Sequence, residues 1–126
     1  MMHIDLPLLE IAVSRAVDAL GDGLVALDIW ERETGLTLAG ANSNPTAAAL
    51  INKVTDDLAL ALYDSGFPDL QRYFVVDLRD ARSLVVVVHS RDVLSGMLLD
   101  SARTSLGFVL GVVMPQLLAD VAAAGV

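Results

Sequence analysis

The chain has 126 residues, 55% apolar and 19% charged, which fits one compact domain and leaves no room for two of ordinary size. Sixteen acidic against eight basic side chains give a formal charge of −8 and a pI near 4.4, so the basic footprint that phosphate backbones require is missing and no nucleic-acid partner is expected. Cysteine is absent, which excludes disulfide staples, thiolate catalysis and cysteine-based zinc sites, and the expected location is a reducing compartment, the cytoplasm.

The N-terminus, Met1-Met2-His3-Ile4-Asp5, has no basic residue before Arg15 and no apolar run of signal-peptide type, so no export signal is expected. Asp5 can cap a first helix with Pro7 in its opening turn, where an N–H would be unpaired anyway. Leu9, Val13, Ala16, Val17 and Leu20 then fall on one helical stripe that Gly21 stops. Leu24 to Trp30, the loop Glu31 to Gly35, and Leu36 to Ala41 read as a hairpin.

Asn44-Pro45 starts a second helix, Thr46 to Asp64. Its inner face is expected to be Ala47, Leu50, Ile51, Val54, Leu58, Ala61 and Leu62, and its outer face Ala49, Asn52, Lys53, Asp56, Leu60 and Tyr63. Leu60 and Tyr63 are three apart and adjacent on the surface, which points to an interface between two copies of the chain. Ser65-Gly66-Phe67-Pro68 ends the helix.

Leu70 to Leu78 and Leu84 to His89 read as a second hairpin. Its Val85 to Val88 run does not alternate, so both faces of the sheet should be covered by helices. From about Val93 to Ala124 the spacing is read as helical, through Leu99, Ala102, Leu106, Val109, Leu110, Val113 and Leu117, with a kink or break at Pro115. Gly107 and Gly111 make one side of this helix flat, for packing on its own sheet or, in the other reading, for close approach of a second subunit. The mean hydropathy of +0.61 raises the question of a membrane span. The run Leu106 to Met114 is too short for one, because a span needs roughly 20 apolar residues and extension brings in Pro115, Gln116 and Asp120.

No phosphate loop, HExxH, GxSxG or EF-hand pattern is present, so no catalytic, cofactor-binding or metal-binding residue is nominated, and no enzyme activity and no cofactor are expected. His3 and His89 are too far apart in sequence to suggest a metal pair. His89 is expected to be a solvated strand-end histidine, its neighbours Ser90 and Asp92 implying no triad. Asp28 and Asp77 interrupt apolar strands and are expected at ends or edges where each carboxylate reaches water, the alternative being an interacting acid pair. Residues 1 to 69 hold eleven of the sixteen acids, whereas the basic residues of 70 to 103 are all arginine. Among these, Arg72, Arg79 and Arg82 are candidate contacts to a protein partner, or else solvated strand edges.

The order of elements resembles the roadblock family, the dynein light-chain type of regulatory domain. The resemblance is carried by Gly23-Leu24-Val25-Ala26-Leu27-Asp28, Thr34-Gly35-Leu36-Thr37-Leu38-Ala39, the helix start Ala47-Ala48-Ala49-Leu50, and the strand Ser83 to His89. It implies an α+β (α/β) sandwich of order α-β-β-α-β-β(-β)-α. An antiparallel sheet of four to five strands would have the second helix on one face and the first and last on the other. It also implies a homodimer through the second helix and a sheet edge, and a non-enzymatic regulator or scaffold of a Ras-like small GTPase, as in bacterial gliding-motility switches. The family has three strands after the second helix, and only two are placed here. A small acidic secretion chaperone holding an extended effector segment, or a small-ligand sensor, are the alternatives; such chaperones place three strands before the central helix.

Overall fold

The computed structural model describes residues 3–126, so the part of the N-terminal reading that rests on Met1 and Met2 lies outside the described residues. Helix α1 (Leu6–Leu20) starts where the Asp5 carboxylate accepts the Leu8 N–H, and Gly21 at φ 52° turns the chain out of it. A short 3₁₀ turn leads into β1 (Leu24–Glu31), which pairs with β2 (Thr37–Ala41). Helix α2 (Pro45–Asp64) is capped by the Asn44 side chain, with proline in its first turn. Then follow β3 (Tyr73–Leu78), β4 (Arg82–Val88) and β5 (Val93–Asp100). The last helix, α3 (Leu106–Ala123), closes the chain.

All pairings are antiparallel and the strand order is β2-β1-β5-β4-β3. The larger core lies between the sheet and the layer of α1 and α3. Leu9, Ala12, Val13, Val109, Val113, Leu117 and Val121 meet Leu27, Ile29, Val85, Val87, Met97 and Leu99 there. On the opposite face α2 covers a smaller cluster of Trp30, Val86, Leu94 and Ala48, with Ile51, Phe74 and Leu84 packed against it. Consecutive valines of β4 therefore alternate between two cores, which is why the run shows no polar alternation.

Two expectations are corrected. Val93 to Asp100 is a strand, not the start of the last helix, and it lies at the centre of the sheet. Both faces of a central strand are buried, so its apolar pattern does not distinguish strand from helix. With β5 in place, three strands follow α2. Of the kink or break expected at Pro115, the break is absent, since α3 runs on through the proline. A π-turn over Val109–Val113, in which the Met114 N–H bonds back to the Val109 carbonyl, widens the helix just before the proline. That extra residue makes room for a ring that an unbroken α-helix would press against the preceding turn.

Candidate functional site

Helix α2 turns an unusual face inward. Its buried residues are Ala48, Asn52 and Thr55, two of them polar, and each polar group is satisfied. Trp30 Nε1–H donates to Asn52 Oδ1 at 3.0 Å, Asn52 Nδ2 donates to the Arg32 carbonyl at 2.8 Å, and the Thr55 hydroxyl donates to the Ile51 carbonyl at 2.8 Å. Arg32 pairs with Asp56 at 2.8 Å on the same side. Asn52 is thus a latch between α2 and the sheet and not part of the outer face, contrary to the expectation. Glycine at position 96 makes the latch possible, since a Cβ there would meet the Trp30 ring at 3.1 Å.

The exposed side of α2 carries the apolar residues. Leu50 and Val54, expected inside, are 60% and 51% exposed, and Leu60 and Tyr63 are 58% and 74% exposed. Ala49, Lys53 and Asp56 are exposed with them. The sheet adds to this surface. Strand β3 is an edge strand, and Val76 and Leu78, on the same face as Phe74, are each more than one-third exposed beside its row of unpaired backbone groups. A groove of about 210 Å³ joins helix to edge, with Ala47 and Ile51 on one wall, Leu78 and Leu84 on the other, and Trp30 and Gly96 among its lining residues.

Asp28 also lines this groove and is buried, so it is neither at a solvated edge nor paired with Asp77, which is exposed. Its carboxylate accepts from the Ser43 hydroxyl, from the Asn44 N–H at 3.0 Å and from the Thr37 hydroxyl at 3.4 Å. These bonds tie the β2–α2 loop to β1 and offset the desolvation of the charge. Gly40 lies so close that a Cβ would meet the Leu27 carbonyl oxygen at 2.7 Å. The sequence signal for this arrangement was the capping pair Ser43-Asn44 after a strand interrupted by a carboxylate.

The candidate arginines do not form one patch. Arg72 precedes β3 and its carbonyl accepts the Val88 N–H, whereas Arg79 and Arg82 lie at the far end of the hairpin, Arg82 pairing with Asp100 at 3.5 Å. His89 is half-buried and not free in solvent. Its Nε2 is hydrogen-bonded to the Ser95 hydroxyl at 2.8 Å, its Nδ1 is buried with no partner among the described residues, and burial pushes its pKa down to about 4. The imidazole is therefore neutral at pH 7. Ser90 instead accepts the Asp92 and Val93 N–H groups in a turn, and Asp92 is exposed, so the three residues form no relay.

No family model matches this chain, and no curated protein matches it in sequence. Solved structures resemble it closely in shape. Myxococcus xanthus MglB superposes with a TM-score of 0.77 at 14% identity, covering 98% of this chain and 95% of that one. The gliding protein MglB from Thermus thermophilus gives 0.72 at 14% identity, covering 95% and 93%. A Roadblock/LC7 domain from Streptomyces avermitilis gives 0.67 at 20% identity, covering 90% and 94%. Identities this low establish likeness of fold alone, and the fold of this chain is the roadblock fold.

Proposed function

We propose that the chain is a non-enzymatic, homodimeric regulator or scaffold that acts in the cytoplasm on a Ras-like small GTPase. The observation that carries the self-association is the apolar outer face of α2, continuous through the groove with the unpaired edge of β3. A second copy placed on this surface would cover Leu50, Val54, Leu60 and Tyr63 and supply hydrogen-bond partners to the edge strand. The GTPase comes from the roadblock resemblance, and the gliding proteins among the fold neighbours support it.

The secretion-chaperone alternative required three strands before the central helix; two precede α2 and three follow it. To test the proposal, Ras-like GTPases of the same genome, loaded in turn with GDP and a non-hydrolysable GTP analogue, are titrated with the chain by calorimetry. One of them should bind with an affinity that differs between the two nucleotide states. Absence of binding by all of them at tens of micromolar refutes the partner class.

A further inference from the structure

A hollow of about 250 Å³ between α1 and α3 has Asp120 among its lining residues, and Arg15 already holds that carboxylate at 3.2 Å. Gly107 and Gly111 of α3 face open space, with nothing within 4 Å of an added Cβ, so the expectation that they pack on the sheet is corrected. The groove beside α2 is different, because its carboxylate has no counter-ion. Asp28 is 7% exposed and lines the groove, and none of the ion pairs among the described residues includes it. Burying a charge without a partner of opposite sign is costly.

The donors from Thr37, Ser43 and Asn44 lower that cost, but they are neutral and leave the charge uncompensated. They also leave one place open. A carboxylate accepts about four hydrogen bonds; Asp28 Oδ1 accepts those of Thr37 and Ser43, and Oδ2 that of Asn44 alone. Access to this place follows from the register. Gly96 is the residue paired with Asp28 across β1 and β5, so no side chain stands opposite the carboxylate on the groove floor. The rest of the lining is largely apolar, with Ala26 and Leu98 beside this pair and Ile51 and Leu84 on the walls.

We propose that this groove binds a small organic ammonium ion, an amine with an apolar body. Its N–H donates to Asp28 Oδ2, its charge compensates the carboxylate, and its hydrocarbon lies against Ala26, Ile51, Leu84 and Leu98. A water molecule at Oδ2 would neither neutralise the charge nor cover those walls. Volume bounds the size. The groove holds about 210 Å³, room for about seven water-sized groups at ~30 Å³ each and less than the ~300–1,000 Å³ of drug-sized sites. That is an amine of about six carbons. The net charge of −8 draws cations toward the chain and repels carboxylates. The site requires neither the GTPase nor a second copy.

Trp30 lines the groove and is the only tryptophan, so its emission reports occupancy. The chain is titrated with n-hexylammonium, n-hexanol and hexanoate at fixed ionic strength, by fluorescence and calorimetry. Hexylammonium should bind saturably with a Kd of about 1 mM or tighter, hexanol at least tenfold more weakly, and hexanoate not at all. Asp28→Asn, which keeps an acceptor for the Ser43 and Thr37 hydroxyls, should abolish the preference for ammonium over alcohol. Ala47→Leu keeps the carboxylate and fills the groove from the half-buried end of α2, and should weaken hexylammonium at least tenfold; it is the variant to read if circular dichroism shows Asp28→Asn unfolded. A second copy on α2 and β3 would border the groove, so Leu60→Asp/Tyr63→Asp is titrated as well, and binding in that form alone still supports the site. No saturable response in either form, equal affinity for the three probes, or an affinity unchanged by Ala47→Leu overturns the proposal. Binding of acetyl-Ala-Lys-Ala-amide ten times tighter than hexylammonium assigns the groove to a lysine of a protein partner and overturns it too.

Discussion

Replacing Asn52 by alanine removes both arms of the latch between α2 and the sheet. The Trp30 indole N–H and the Arg32 carbonyl lose their partners at 3.0 and 2.8 Å. An unsatisfied buried polar group costs about 1–3 kcal/mol. Trp30 is 1% exposed and its N–H cannot turn to solvent, so it bears the full penalty, whereas the Arg32 carbonyl near the rim regains a water. The sum is about 2–4 kcal/mol, a large share of the roughly 5–15 kcal/mol that holds a domain of this size together. At about 3–5 °C per kcal/mol for this chain length, Tm should fall by roughly 6–20 °C. Trp30 is the only tryptophan, so its emission reports the same site during urea unfolding. A double-mutant cycle with Trp30→Phe isolates the pair, because the cavity left by the smaller ring is common to both backgrounds and cancels, leaving the coupling of the bond. A loss under about 0.5 kcal/mol for Asn52→Ala, the range of an ordinary surface change, would refute the reasoning and return Asn52 to the outer face.

His89 makes stability depend on pH. Its folded pKa, about 4, lies below the unfolded value of 6.5, so between those limits the unfolded chain binds the extra proton. Stability is then complete above pH 6.5 and falls as the pH drops through 6.5 toward 4, by at most about 3 kcal/mol. His89→Gln should flatten urea midpoints across that window, and an unchanged slope would count against the burial argument. In the β3–β4 turn, Asp80 and Ala81 have φ of 63° and 55°, and alanine gains nothing there to offset the strain. Ala81→Gly should raise stability by about 0.5–1 kcal/mol, read as a Tm higher by a few degrees; a lower Tm would contradict it.

The order of elements up to β4 was legible because caps and turn residues mark it: Asp5, Gly21, Asn44-Pro45 and Gly66 each stand at or beside an observed boundary. Strand β5 was not, since a strand buried on both faces has no alternation to read, and its apolar positions merged with the helix that follows. The orientation of α2 was misread for a related reason. Hydrophobic stripes are ordinarily assigned to the inside, but this helix buries the satisfied polar groups of Asn52 and Thr55 and exposes Leu50 and Val54. Apolar residues on the outside of a helix and polar ones inside are a pattern that a second subunit reconciles. Asp28 was legible as an anomaly but not as a solution, because its donors Thr37, Ser43 and Asn44 converge only once β2 has paired with β1.

The account rests on the α2 and β3 surface being a place where two copies meet. Light scattering on the parent chain measures that contact. It should report two 13.3 kDa chains at micromolar concentration, falling to one when Leu60→Asp and Tyr63→Asp are added. A mass of one chain before those two substitutions are made, with the fold intact, would contradict the account.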